Sequence, residues 1–375
     1  MGWLSSMLSQ KQFLNAYCYL NGFDDFDANK WNSFVRVLRE NSLVASFYHR
    51  LERSNQLYCI PEYCEDMFLS AINFANAQVI QTEVQGKKLI RLFNAIDIPF
   101  VFLKGAAYIL GSKRNSMGRL MTDIDICVEK ENIDKAEEAL LGAGWSFKNM
   151  DEHDDKYYRE WSHEIPPLKH DNEGVVLDVH HTLIPPIKGR LLDIHALIHS
   201  SESDSDFSST IPSRAWLVLH SALHLILNED VKNGLRDLTD IFVLLYGEGS
   251  ASENVAETEA LFIKEGFEQE WIVLSLLLDD FFNTEIGSEH ASANLSLYIR
   301  MRHFILRKAI VPNSSFIQSD GRWLWDSVNY VLGYCSKMPL HILFKQVTYK
   351  TYRNLIKLAF GEYFFRKPKP KRNGL

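Results

Sequence analysis

The sequence predicts an α+β protein, with a small α/β core at about residues 97–183 set between helical segments on either side. Three observations predict it. Apolar residues recur at helical spacing through the first ~95 residues. The pattern then changes to short apolar or alternating runs at 98–103, 123–128 and 175–181. Beyond Leu183 the helical pattern returns and persists.

In order along the chain, Trp31, Phe34, Val35, Leu38, Leu43 and Val44 mark helix in the N-terminal region. Leu69, Ile72, Val79, Ile80 and Val84 mark a long amphipathic helix over 70–95. The run IPFVFL (98–103) is short and almost wholly apolar, which predicts a strand buried on both faces. Lys104 and Gly105 then open a short helix over 106–110, and a glycine-bearing loop (111–119) leads to DIDICV (123–128). That run alternates in period two, as a strand with one buried face does. A helix is predicted from Glu131 to about Leu141, stopped by Gly142 and Gly144, and a strand over 145–148. Segments 164–169 and 175–181 flank Asp171-Asn172-Glu173-Gly174, whose turn chemistry predicts a hairpin. Ser213 is placed to cap a helix through His220 and His224 to Leu227; 232–246 reads as a second helix, and 257–283 and 342–360 contain others. The serine-rich stretch 200–210 reads as an exposed loop or boundary. The division expected is a helical region (1–96), a core (97–183), a second helical region (184–365) and a basic tail (366–375).

Composition excludes several classes. Of 375 residues, 46% are hydrophobic and 23% charged, which is globular rather than disordered usage. No stretch approaches the ~18 apolar residues of a membrane helix, so no membrane insertion is expected. The N-terminus lacks a basic region followed by an apolar run, so no secretory signal is expected. Cys18, Cys59, Cys64, Cys127 and Cys335 have neither disulfide-framework nor zinc spacing and suit a reducing cytosol. The tail at 366–372 holds five basic side chains and no acid, leaving 35 basic against 48 acidic in residues 1–365, a charge of −13. A body that acidic repels nucleic-acid backbone. The tail itself is either a solubilising end or a weak electrostatic contact with RNA, membrane or an acidic partner.

Asp123 and Asp125 are the informative pair. Residues i and i+2 of a strand point to one face, with Ile124, Ile126 and Val128 on the other. Two ionised carboxylates ~5 Å apart at an effective dielectric of ~20 repel by ~3 kcal/mol. Ample water, one retained proton or a shared cation relieves this, and Mg²⁺ suits hard oxygen donors next to phosphates. Taken alone, D-x-D is a weak signal and fits an exposed strand face better than a metal site. Its surroundings favour chemistry. Upstream, a buried strand ends at Lys104-Gly105, a junction that offers backbone N–H groups to an anion. Downstream, Val176, Asp178 and His180 share one face of a further strand, so Asp178 is available as a third carboxylate.

The segments PFVFLKGAAYILG, GRLMTDIDICV, ALLGAGW and VVLDVHH, in this order, resemble the bacterial uncharacterised nucleotidyltransferase family. That family belongs to the DNA polymerase β-like nucleotidyltransferase superfamily and is similar to enzymes of abortive-infection and toxin–antitoxin systems. The resemblance is strongest over 97–183 and extends to Leu219–His224 and the 235–240 segment. It implies a polymerase β-like core, a small mixed sheet with helices, flanked by N- and C-terminal helical regions. The superfamily usually has Gly-Gly or Gly-Ser at the first turn, where this chain has Lys104-Gly105-Ala106.

The resemblance implies transfer of a nucleoside monophosphate from an NTP to an acceptor hydroxyl, with release of pyrophosphate. Asp123, Asp125 and Asp178 are then the catalytic and metal-binding set for Mg²⁺ or Mn²⁺. Lys104, Gly105, Arg119, His180, Arg236 and Asp237 are the candidate nucleotide-binding residues. The acceptor is a small molecule, an RNA end or a protein. The alternative is a non-catalytic nucleotide-binding or scaffold protein that keeps the fold. Two further readings are weaker. His220 and His224 sit one helical turn apart, but no third zinc ligand lies near them in sequence. His153-Asp154 and His170-Asp171 fall in turn-like sequence, not on the helices that a metal phosphohydrolase needs.

Overall fold

The computed structural model describes residues 7–147, 152–185, 189–201, 207–288, 295–318 and 321–337. The expected helix at 342–360, the basic tail and Lys148 lie outside the described residues.

The N-terminal helices are fixed by local capping. Helix α1 (Gln10–Tyr19) opens on a capping box between Ser9 and Gln12. Helix α2 (Ala28–Glu40) opens on Asp27, whose Oδ1 accepts from the Lys30 N–H at 2.8 Å. Trp31, Phe34, Val35 and Leu38 bury their side chains from α2, and α3 (Val44–Arg53) adds Val44 and Phe47. Rings of Phe13, Phe23, Phe34 and Phe47 meet in an aromatic cluster. Helix α4 (Glu62–Ala95) runs 34 residues, about 51 Å at 1.5 Å per residue.

Strand β1 (Phe100–Leu103) is buried throughout. Pairing begins after Pro99, which has no N–H to give to a ladder. Next come α5 (Lys104–Leu110), β2 (Ile124–Val128), α6 (Ile133–Gly142) and β3 (Trp145–Phe147). Helix α7 (Glu152–Trp161) precedes β4 (Leu168–His170) and β5 (Val176–His180). Among the described residues the strands form one mixed sheet of order β1-β2-β5-β4-β3. β1 and β2 are antiparallel, β2 and β5 parallel, and β4 is antiparallel to both β5 and β3.

Two sequence expectations need correction. Strand β2 is buried at all five positions rather than on one face. It lies between β1 and β5 and is packed by α5 and by α8 (Ile194–Ile198). Its polar face is therefore an enclosed site, not a wet surface. His153 and Asp154 lie on a helix, α7, rather than in a turn. That helix has no apolar stripe to reveal it; i,i+4 pairs Asp155–Arg159 (3.3 Å) and Lys156–Glu160 (3.5 Å) support it, with Arg159 also 2.9 Å from Glu137 on α6.

Beyond the sheet the chain is helical: α9 (Arg214–Leu227), α10 (Gly234–Tyr246), α11 (Ala251–Lys264), α12 (Glu268–Phe282), α13 (Leu297–Ala309) and α14 (Arg322–Lys337). Helix α9 is apolar on nearly every side because α5, α10, α11, α12 and α14 surround it. The two helical regions touch: Tyr17 on α1 shares a hydrogen bond with Thr239 on α10 (3.1 Å), and Leu8 bridges Ile317. No helix among the described residues is long and apolar enough to cross a membrane.

Candidate active site

The site is built on the β2–β5 face. Asp125 on β2 is the register partner of Asp178 on β5. Parallel partners lie about 4.8 Å apart and present side chains to one face. Asp123 sits two positions before Asp125, just outside the strand, and shares its phase. The three acids named from the sequence are thus brought to one face of the parallel pair, and α5 packs on β2.

Two cations meet them. Lys104 Nζ lies 3.8 Å from Asp125 Oδ1. His180 Nε2 lies 3.0 Å from the same oxygen and 3.4 Å from Glu164 Oε2. Lys104 holds its place at a cost, with φ of +43° at the β1–α5 junction. A left-handed residue with a Cβ is strained by roughly 1–2 kcal/mol, and such strain collects at functional sites. Lys104 therefore stands at a turn position that glycine would occupy without strain.

Glu164 was not singled out in the sequence. Carried back from the 171–174 turn, the β4–β5 ladder (Leu168↔Leu177, Lys169↔Val176) would set Glu164 opposite His181. The bridge observed is Glu164↔His180. One extra residue on the 164–168 side, at Pro166-Pro167, shifts the register by one and turns Glu164 onto the acidic face. His163 joins it: donor atoms of His163, Glu164 and His180 all lie within 4.8 Å of one another. From α9, the buried His220 ring stacks edgewise 6.2 Å from His180.

Electrostatics differ sharply across the cluster. Burial alone would raise Asp125, but Lys104 and His180 outweigh it and hold the carboxyl well below the usual range. Asp178 goes the other way, pushed up to about 7 by burial and by Glu164, Asp125 and Asp123. Burial and Asp125 raise Asp123, and burial raises Glu164. Burial, Lys104 and His180 push His220 far down, so it is neutral. Burial works against the His180 cation too, yet the bond to Asp125 and the charge of Glu164 raise it. Four carboxylates thus share a small enclosed face with two cations.

Among the described residues, the ligand atoms that come within reach of one divalent ion are those of His163, Glu164 and His180, and the carboxylates of Asp123, Asp125 and Asp178 adjoin them. Asp178 Oδ1 is buried with no hydrogen-bond partner, and a raised carboxyl among other carboxylates is what a missing positive charge produces. Hard oxygens from Asp123, Asp125 and Asp178 could hold such an ion.

The remaining sequence-named residues assemble elsewhere. A Cβ on Gly105 would collide with Arg119 Nη1 and Met121 Sδ, so this glycine admits the chain's own side chains. Arg119 is 7% exposed and its Nε lies 2.6 Å from Asp240 Oδ2, with its guanidinium over the Tyr108 ring. Asp240 holds that guanidinium charged despite burial. Arg236 pairs with Asp237 at 3.0 Å, and Asp237 lies 3.9 Å from His224. Arg119, Arg236 and Asp237 therefore form a second cluster centred on α10, which adjoins the acids through Arg119, whose charge acts to lower Asp123.

A family model described as an uncharacterised nucleotidyltransferase matches residues 27–269. No curated protein and no solved structure matches the chain. The matched stretch holds more than half of the chain, every strand of the sheet and all the acids of its β2–β5 face, and by that match the chain belongs to the uncharacterised nucleotidyltransferase family.

Proposed function

We propose that the protein transfers a nucleoside monophosphate from an NTP to an acceptor hydroxyl and releases pyrophosphate. The observation that carries this reading is the register pairing of Asp125 with Asp178, with Asp123 in phase beside them. Asp123, Asp125 and Asp178 would hold one or two divalent cations, Mg²⁺ or Mn²⁺. When bound, such ions offset triphosphate charge and support an in-line displacement.

The chain's own residues supply the rest. His180 orients Asp125 through its Nε2 contact and is itself oriented by Glu164. Lys104 adds a positive charge at the strand–helix junction, where Ala106 lacks the hydroxyl of the superfamily's Gly-Ser turn. Asp178 either completes the second metal site or acts as the base that takes the proton from the acceptor hydroxyl, as the hydroxyl oxygen bonds to the α-phosphorus and the α–β anhydride breaks. We assign this chemistry to the core at 97–183, with helical regions before it (1–96) and after it (184–365). The acceptor is a small molecule, an RNA end or a protein, and the basic tail at 366–375 is either a solubilising end or a weak electrostatic contact.

The test is to incubate the protein with each α-labelled NTP and Mg²⁺ or Mn²⁺ in a cell extract and to follow label and pyrophosphate. Metal-dependent labelling of an acceptor is expected. Metal-dependent NTP binding without turnover on any acceptor would favour the scaffold reading instead.

A further inference from the structure

A second cleft lies on the far side of Arg119 from the acids, between α1, α3, the turn at Arg114–Ser116 and α10. It has about 370 Å³ of space between its walls, its open mouth included. Arg50, Arg53, Arg114, Arg119 and Arg236 all line it. Asp240, Asp237 and Glu248 offset Arg119, Arg236 and Arg114. Arg50 and Arg53 have no acidic partner within salt-bridge reach among the described residues. Burial, then Arg50 and Arg114, push the Arg53 guanidinium down from its ordinary value, and Glu52 and Glu248 offset this only in part.

Hydrogen-bonding capacity is also unmet there. Arg50 is 9% exposed and Asn115 is 7% exposed. Arg50 gives Nη2 to the Cys18 carbonyl (3.1 Å), but its buried Nη1 has no partner, and neither polar atom of the Asn115 side chain has one. Buried groups left unmet cost stability, so such a set calls for a ligand. The wall is deliberately close: Gly118, at φ +72°, lies so near α3 that a Cβ would strike the Ala45 backbone, which brings the 114–116 turn against Arg50 and Arg53.

We propose that this cleft binds a phosphate group, gripped by Arg50 and Arg53 with Arg114 and the Asn115 amide across from them. Two guanidiniums without acid partners match the double charge and fork geometry of phosphate better than the single charge of a carboxylate. A nucleic-acid backbone is excluded by the narrow cleft and by the acidic body around it. The site does not depend on the catalytic reading of the three acids. The phosphate belongs either to the NTP or to a separate phosphorylated ligand.

Calorimetric titration of the full chain with inorganic phosphate and, separately, with ATP tests this. Arg53→Gln changes an exposed side chain and should fold; Arg50→Lys keeps the charge and removes the fork. Both are expected to weaken phosphate binding about tenfold or more. Parallel weakening of ATP binding would assign the phosphate to the nucleotide; weakening in the phosphate arm alone would assign it to a separate ligand. No phosphate binding by the parent, or unaltered binding in both arginine variants, would overturn the proposal.

Discussion

Asp125 and Asp178 are register partners on neighbouring parallel strands, yet their carboxyls titrate in opposite directions. Asp125 faces Lys104 and His180, and Asp178 faces other carboxylates. In the metal-free protein the two therefore act oppositely on stability. A depressed carboxyl adds stability above its unfolded value. A raised one removes stability as pH climbs from its unfolded value to its folded one.

From this, Asp125→Asn should lower the unfolding midpoint at pH 8 and Asp178→Asn should raise it. The Asp178→Asn gain should open between about pH 4 and about pH 7 and stay open above. Denaturant titrations without metal at pH 4, 6 and 8 check both signs. Both substitutions should also cut nucleotidyl transfer by at least about 100-fold with the far-ultraviolet dichroism unchanged; full labelling in either variant would remove the proposed metal role.

Cation binding should be linked to pH through the same group. Asp178 must shed its proton to become a ligand, so Mn²⁺ affinity should rise as pH passes upward through about 7. Titrations at pH 6 and 8 should show proton release at the lower pH. Asp178→Asn should bind more weakly and lose the pH dependence.

Much of this site is legible in the sequence, and what is missing has physical reasons. The two-residue phase of Asp123 and Asp125, and of Asp178 and His180, is printed in the alternation of their runs. That β2 and β5 lie side by side is a matter of topology, which the resemblance supplied and alternation did not. Glu164 stayed hidden because Pro166-Pro167 moves the register by one residue, and a one-residue slip exchanges the faces. Helix α7 was hidden because its support is ionic rather than apolar. The partner of Arg119 lies 121 residues away on α10, beyond the reach of any local pattern.

Lys104 should invert the usual ranking of glycine and alanine in helices. Glycine normally costs about 1 kcal/mol relative to alanine in a helix. Here φ is +43°, where any Cβ is strained by roughly 1–2 kcal/mol. Lys104→Gly and Lys104→Ala both delete the cation beside Asp125, so their difference isolates the backbone. Lys104→Gly should be the more stable by about 1 kcal/mol, read from denaturant midpoints. Equal stability, or alanine ahead, would mean that the junction is unstrained.

The Arg119–Asp240 pair provides the last prediction. Its 2.6 Å contact joins two side chains that are each about 8% exposed, so removal of one partner strands a charge away from water. Breaking such a pair typically costs about 3–5 kcal/mol, whereas replacing both partners with apolar groups is often neutral. Arg119→Met and Asp240→Leu should each be strongly destabilising, and the double variant should recover most of the loss. Because the Arg119 guanidinium also fills the space over Gly105, methionine suits that position better than alanine, which would leave a void beside the β1–α5 junction. A double variant as unstable as the sum of the singles would show that the two side chains act independently, and that Arg119 has its main partner elsewhere.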